Sequence, residues 1–206
     1  MITLWGRANS INVQKVLWTC EELGLEIVRH DVGGPYGGTD TPEYRAMNPN
    51  GLVPTLQDGD VTVWESNAVV RYLAARYGAG SLWPEDPGVR AAADKWMDWQ
   101  LSTAQPHQRT LIMQVVRTPP EKRDTAAVAA AMSGAAQALE LLEGAFGDGA
   151  FLVGDGLTIA DVALGPMMHR FVALDVPRPR LPKLEAWYAR LTDRPGFARH
   201  VMPPLS

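Results

Sequence analysis

A proline at the head of an apolar run constrains this chain more than any other feature. Val53-Pro54 leads into Thr55-Leu56, Asp58-Gly59-Asp60 reverses direction, and Val61-Thr62-Val63 runs back. Proline lacks the N–H that a central strand must donate, so Pro54 belongs at the first residue of its strand. An X-Pro bond in such a place is free to take the cis form. The bend before it leaves backbone N–H and C=O groups for an extended ligand. A few residues on, Glu65-Ser66 stands where a helix begins, and a helix N-terminus offers unsatisfied N–H donors and a positive dipole end. Backbone groups, a carboxylate and a hydroxyl in one place suit a peptide-like molecule carrying both an amine and a carboxylate.

The segments around this feature fall into order. Ile2-Thr3-Leu4-Trp5 reads as a strand closed by Gly6, and residues 9–23 as a helix stopped by Gly24. Residues 27–32 are short and β-branched, as in a buried parallel strand. The run 33–38 is a glycine-rich loop, and Thr41-Pro42 opens a short helix to Met47. Two strands and a helix from Glu65 to Tyr77 follow. The order βαβ then ββα predicts a thioredoxin-like domain over residues 1–78. Residues 78–88 carry Gly and Pro and read as a linker. Beyond them strand-type alternation disappears, and helices are expected over 90–116, 125–146, 158–174 and 183–192, with a last turn from Pro195. The fold class is therefore α/β plus all-α, with an all-helical domain over 88–206.

Composition narrows the function. At 206 residues with 46% hydrophobic content, the chain has enough apolar material for a substantial core. No apolar run of membrane-spanning length stands out, and the N-terminus lacks a basic segment leading into an apolar one. A single cysteine, Cys20, excludes an intramolecular disulfide and fits a reducing compartment. A net charge of −4 with both signs dispersed gives no reason to expect nucleic acid. The expectation is a cytoplasmic protein acting on small molecules, with no membrane partner.

Val53-Pro54 followed by Glu65-Ser66-Asn67-Ala68-Val69-Val70-Arg71-Tyr72-Leu73 resembles the glutathione-binding half-site of the cytosolic glutathione transferases. Ser10-Ile11-Asn12-Val13-Gln14-Lys15-Val16 is similar to that family's active-site turn and first helix. Glu22-Leu23-Gly24-Leu25, Asn48-Pro49-Asn50-Gly51 and Leu157-Thr158-Ile159-Ala160-Asp161-Val162-Ala163 match further motifs in the same order. The matches extend from residue 2 to about residue 195. The resemblance implies a bacterial, serine-type glutathione S-transferase active in detoxification. It implies glutathione as co-substrate, a small and largely apolar electrophile, no metal or other cofactor, and a homodimer. A glutathione-dependent peroxidase or dehalogenase on the same scaffold, or a non-enzymatic binding protein of the same fold, are the alternatives.

Glutathione chemistry requires a thiol held as a thiolate, which a hydroxyl or amide donor and a helix N-terminus both favour. The resemblance gives this role to Ser10, with Asn12 as the alternative. Ser10 or Asn9 acting simply as a helix cap is the plainer reading of the same position. Cys20 lies two turns into the helix without a second cysteine nearby, and reads as a core residue. For the tripeptide, the resemblance assigns the amine to Glu65, the γ-glutamyl carboxylate to Ser66, and the cysteinyl backbone to Val53 beside Pro54. Leu52 stands where many relatives carry a basic residue, so the glycyl end falls to Asn50, Arg45 or the loop 33–38. Thr158 with Asp161 reads as a capping box with a structural role. The second substrate is expected between the domains, near Arg7, Tyr36, His107 and Arg109, with Gln105 and Met113 as further candidates; Trp96 and Trp99 are candidates too, but read first as anchors of helix packing. Asp94 reads as an exposed helix residue.

Overall fold

The computed structural model describes residues 1–174 and 176–205. Its first half is a four-stranded sheet in the order β2-β1-β3-β4, built from β1 (Ile2–Trp5), β2 (Ile27–His30), β3 (Thr55–Asp58) and β4 (Val61–Trp64). β1 and β2 run parallel with Leu4 opposite Arg29, while β1 and β3 are antiparallel with Leu4 opposite Leu56. The parallel pair needs a crossover, which α1 (Ile11–Glu22) supplies. The short α2 (Pro42–Met47) precedes the hairpin, and α3 (Ser66–Tyr77) follows it. Thr41 caps α2 through its side chain, which accepts from the Tyr44 N–H at 3.2 Å, with Pro42 at the first helical position. This is the expected thioredoxin-like order.

The second half is helical. α4 (Pro87–Trp99), α5 (Gln105–Leu111), α6 (Thr125–Ala145), α7 (Ile159–Ala173), α8 (Pro182–Thr192) and α9 (Pro195–His200) follow in sequence. The expected helix over 90–116 is interrupted twice: Gln100–Ala104 and Ile112–Val116 are π-helical turns on either side of α5. Pro106 explains the first. It has no N–H for a regular helical bond and its ring crowds the preceding turn, and a widened turn just upstream relieves both. α6 has 21 residues with a mean hydropathy of 1.3, which by length and composition is enough to cross a membrane and which the sequence reading did not single out. Alanine supplies that value, and the helix lays Ala131, Ala135, Ala138, Leu139 and Leu142 into the core.

α1 is the hinge of the architecture, because both of its faces are buried. Val13, Val16 and Leu17 pack with Leu4, Leu56 and Leu73 on the sheet side. On the other side Trp18 joins the helical core with Phe197, Leu164 and Leu191. Gly165 permits that contact: a Cβ there would lie 2.9 Å from the Trp18 ring and 2.9 Å from Phe197. Cys20 sits in the sheet-side core with its thiol pushed up to about 12 by burial, as expected for an inert packing residue. Residues 78–86, expected as a linker, are pinned by buried Leu82, whose carbonyl accepts from the Ile159 N–H at 3.3 Å.

Candidate active site

The Val53-Pro54 bond is cis. Its approach is held from below by the side chains of α2: Tyr44 Oη donates to the Leu52 carbonyl at 2.6 Å, and Asn48 Nδ2 donates to the same oxygen at 2.9 Å. Both also reach Thr55 Oγ1, at 2.9 and 3.1 Å. The Leu52 carbonyl is thereby tied inward, while Gly51, Leu52 and Val53 border a cleft. Asn48 also fixes the turn itself, its Oδ1 accepting from the Asn50 N–H at 3.1 Å.

Glu65 is the N-cap of α3 and the one non-glycine residue with positive φ among those described, at φ 70° and ψ 114°. Such backbone is costly for a residue with a Cβ, and it accumulates where function requires a fixed direction. The carboxylate makes no cap bond, and Glu65 borders the same cleft. Ser66, 3% exposed, donates its hydroxyl to Asn12 Oδ1 at 3.2 Å and so ties the start of α3 to the start of α1. Ser10 occupies the N-cap position of α1 yet makes no side-chain cap bond, which removes the simple capping reading. It is 8% exposed and faces the cleft with Asn12. One wall therefore brings together Ser10, Asn12, Val53 and Glu65, with Pro54 and Ser66 directly behind them.

The opposite wall comes from the helical half. Leu101, Gln105, Gln108, Arg109, Ile112 and Met113 project from the segment distorted by the two π turns, and Arg170 from α7. Gln105 Oε1 accepts from Gln100 Nε2 at 2.9 Å, and Gln108 Nε2 donates to the Met167 carbonyl at 2.7 Å. Arg7 enters the cleft from the sheet domain, between β1 and α1, lying over Gly34, where a Cβ would come within 3.1 Å of its Nε. The enclosed space is about 1410 Å³, counting the open solvent at its mouth. Burial lowers the Arg7 pKa, and Arg117 adds to the effect. For Arg170 burial, then Arg117 and Arg7, bring it down to about 10.

Several sequence expectations land elsewhere. Tyr36 is 59% exposed on the turn Gly34–Tyr36 and does not border the cleft. His107 points away from it into α6, where a Cβ on Gly134 would lie 2.2 Å from its ring, so Gly134 exists to admit the histidine. Asn50 is exposed on the turn and outside the cleft lining. Trp96 and Trp99 pack edge to face at 5.1 Å against the core, the packing role read first for them in the sequence. Asp94 pairs with Arg71 of α3 at 2.5 Å. Asp161 is wholly buried and accepts from the Thr158 N–H at 2.8 Å, the Leu152 N–H at 3.2 Å and Trp187 Nε1 at 2.8 Å, the structural role expected of it.

The sequence reading passed over Lys15. It is completely buried between the two halves, donating to Asn67 Oδ1 at 3.0 Å and Gln100 Oε1 at 2.7 Å. Asn67 in turn donates to the Met97 carbonyl at 2.7 Å. One lysine thus clamps the start of α3, next to Ser66, to the π turn that begins at Gln100. Burial pulls its pKa down to about 7, against a smaller upward pull from Glu65. The signal in the sequence was a lysine among Val13, Gln14, Val16 and Leu17, on a helix whose two faces are both covered.

A sheet domain with a cis-proline beside a helix N-terminus, joined to a helical bundle across a cleft, defines the class. The model of the glutathione S-transferase N-terminal domain matches residues 9–76, and that of the C-terminal domain matches residues 125–190. The chain is 43% identical to glutathione S-transferase GstB of Escherichia coli (strain K12) over 208 residues, covering 100% of both. It is 28% identical to glutathione S-transferase 3 of Zea mays, covering 98% of this chain and 96% of that one. Among solved structures, the theta class glutathione S-transferase of Xanthomonas axonopodis pv. citri with glutathione bound superposes with a TM-score of 0.95 at 48% identity, covering 100% and 99% of the two chains. The apo form of that protein gives a TM-score of 0.87 at 42% identity, covering 100% and 98%. This chain belongs to the glutathione S-transferase family and is a glutathione S-transferase.

Proposed function

We propose that the enzyme joins the thiolate of glutathione to a small electrophilic carbon, with the tripeptide lying along the cis-proline wall. The observation that carries this reading is one cleft bordered by Ser10, Val53 and Glu65, three residues brought together from three separate segments. The cysteinyl backbone would pair antiparallel to Val53, whose own N–H and C=O are the groups an extended peptide needs. The γ-glutamyl ammonium would meet Glu65, and its carboxylate the first turn of α3 with Ser66, where N–H donors and hydroxyl converge. Ser66 would then exchange its bond to Asn12 for one to the ligand. For the glycyl carboxylate the support favours Arg45, whose guanidinium packs against Gly51 and donates to the Pro49 carbonyl at 3.0 Å.

The sulfur would sit at Ser10, at the N-terminus of α1. There a hydroxyl donor and the helix dipole both favour the anion over the thiol. Asn12, which borders the same cleft, offers a side-chain amide donor to that region. The electrophile would lie against Leu101, Ile112 and Met113, which suit an apolar body. Domain limits of 1–78 and 88–206, a cytoplasmic location and a homodimer complete the proposal. The dimer is supported by the exposed outer face of α6, with Leu141 53% exposed. Titration calorimetry with glutathione, alongside turnover of chlorodinitrobenzene, tests the whole. Saturable binding that weakens in Ser66→Ala is expected; binding unaffected by Ser66→Ala would place the tripeptide elsewhere.

A further inference from the structure

We propose that the second substrate is an anionic electrophile, its carboxylate held by the cleft arginines, Arg109 and Arg170 of the helical wall with Arg7 beside them. The inference rests on the glutathione reading above and names the substrate class of the same site. These three guanidiniums and that of Arg117 border the cleft, and Glu65 is the only carboxylate among the described residues that line it. Glu65 stands at the start of α3, where the tripeptide's ammonium would engage it.

Arg170 shows that the charge is built in rather than left at a surface. It is partly buried, donates from one terminal nitrogen to the Asn9 carbonyl at 3.1 Å, and its Nε lies buried without a hydrogen-bond partner. A buried donor without an acceptor is unfavourable, and a charged one more so. Burial first, then repulsion from Arg117 and Arg7, lowers the pKa of Arg170. A wholly apolar substrate would strip water from these cations and offer nothing back. A carboxylate accepts bidentately from a guanidinium and compensates the repulsion in one step. Leu101, Ile112 and Met113 on the same wall still take an apolar body, so the fitting molecule has an apolar frame and one acidic group.

In the reaction the thiol proton passes to solvent and the thiolate sulfur bonds the electrophilic carbon. For an aryl chloride, the carbon–chlorine bond breaks and its electron pair leaves as chloride. The carboxylate is unchanged; it only holds the molecule.

The test uses a chloronitrobenzoate, with chlorine ortho to the nitro group and para to the carboxylate, and its carboxamide. Turnover and the affinities of the two purified S-aryl glutathione conjugates are measured in the wild type, Arg109→Gln and Arg170→Gln. The acid conjugate is expected to bind about ten- to a hundred-fold more tightly than the amide conjugate, the range of one charge-assisted contact. That ratio should fall toward one in either variant. Arg109 is exposed, so its variant keeps the test sound if Arg170→Gln does not fold. Equal affinities in the wild type, or a ratio untouched in Arg109→Gln, would overturn the proposal. Variants that weaken glutathione itself while preserving the ratio would overturn it too, assigning the arginines to the tripeptide. Glutathione that fails to bind the wild type would instead count against the glutathione reading, so the two failures are distinct.

Discussion

The two walls of the cleft are made by different means. The cis-proline wall is set by backbone: a carbonyl tied down by Tyr44 and Asn48, a proline at a strand head and a helix start at Glu65 in left-handed conformation. The helical wall is set by side chains on a segment bent by two π turns and steadied by Gln100, Gln105 and Gln108. Backbone geometry of the first kind fixes one ligand, because every extended peptide presents the same groups. Side chains of the second kind are replaceable one at a time without disturbing the fold. On the proposed reading, the first wall would recognise the constant substrate and the second would carry the specificity.

If the helical wall is only as firm as the bundle behind it, the largest effect belongs to Asp161→Ala. Its loss leaves the Thr158 and Leu152 N–H groups and Trp187 Nε1 buried without acceptors, a cost of about 3–5 kcal/mol. Calorimetric melting should fall by roughly 10 °C, while specific activity of the folded fraction persists. A stable but inactive variant would move Asp161 from the scaffold to the chemistry.

Ser66→Ala probes the other wall. It should raise the glutathione constant by about ten-fold or more, as expected when a contact to a charged group worth about 1.5–3 kcal/mol is lost, with little change in melting. Initial rates against glutathione concentration report the first, and a thermal scan the second. Comparable losses from a substitution at Met113 would blur the distinction between the walls.

Lys15 joins the two walls, and its effect is smaller and depends on pH. The folded protein releases this proton near pH 7, whereas the unfolded chain holds it to an ordinary value of 10.5. Between these the unfolded state binds more protons, so stability rises with pH. Below about pH 7 the buried charge is carried in full. Relative to Lys15→Met, the wild type should therefore gain about 1–2 kcal/mol between about pH 7 and pH 9. Denaturant midpoints of both proteins at the two pH values measure it, and parallel behaviour would show that the lysine stays charged throughout.

The same division governs what the sequence could reveal. Pro54, the turn at Asp58-Gly59-Asp60 and Glu65-Ser66 act through local backbone rules, so both the fold and the first wall were readable from residue types and spacing. The second wall was not. Pro106 was visible, but nothing local says that a π turn rather than a kink absorbs it, and the π turns decide which side chains face the cleft. His107 and Arg109 are two positions apart on one helix, and only the close approach of α6 at Gly134 sends the first away from the site. Nothing local marks Lys15 as buried, because burial on both faces of α1 is a tertiary fact. Arg170 is separated by 161 residues from its contact at Asn9, beyond the reach of any local pattern.

The central claim is that the constant wall holds a thiolate at Ser10. The most direct measurement is the ultraviolet absorbance of the thiolate against pH in the complex with glutathione, for the wild type and Ser10→Ala. The account predicts a wild-type midpoint well below the free-thiol value of about 8.5, and a return toward it in Ser10→Ala with glutathione still bound. A wild-type complex that titrates like free glutathione, or a Ser10→Ala complex that titrates like the wild type, would contradict it.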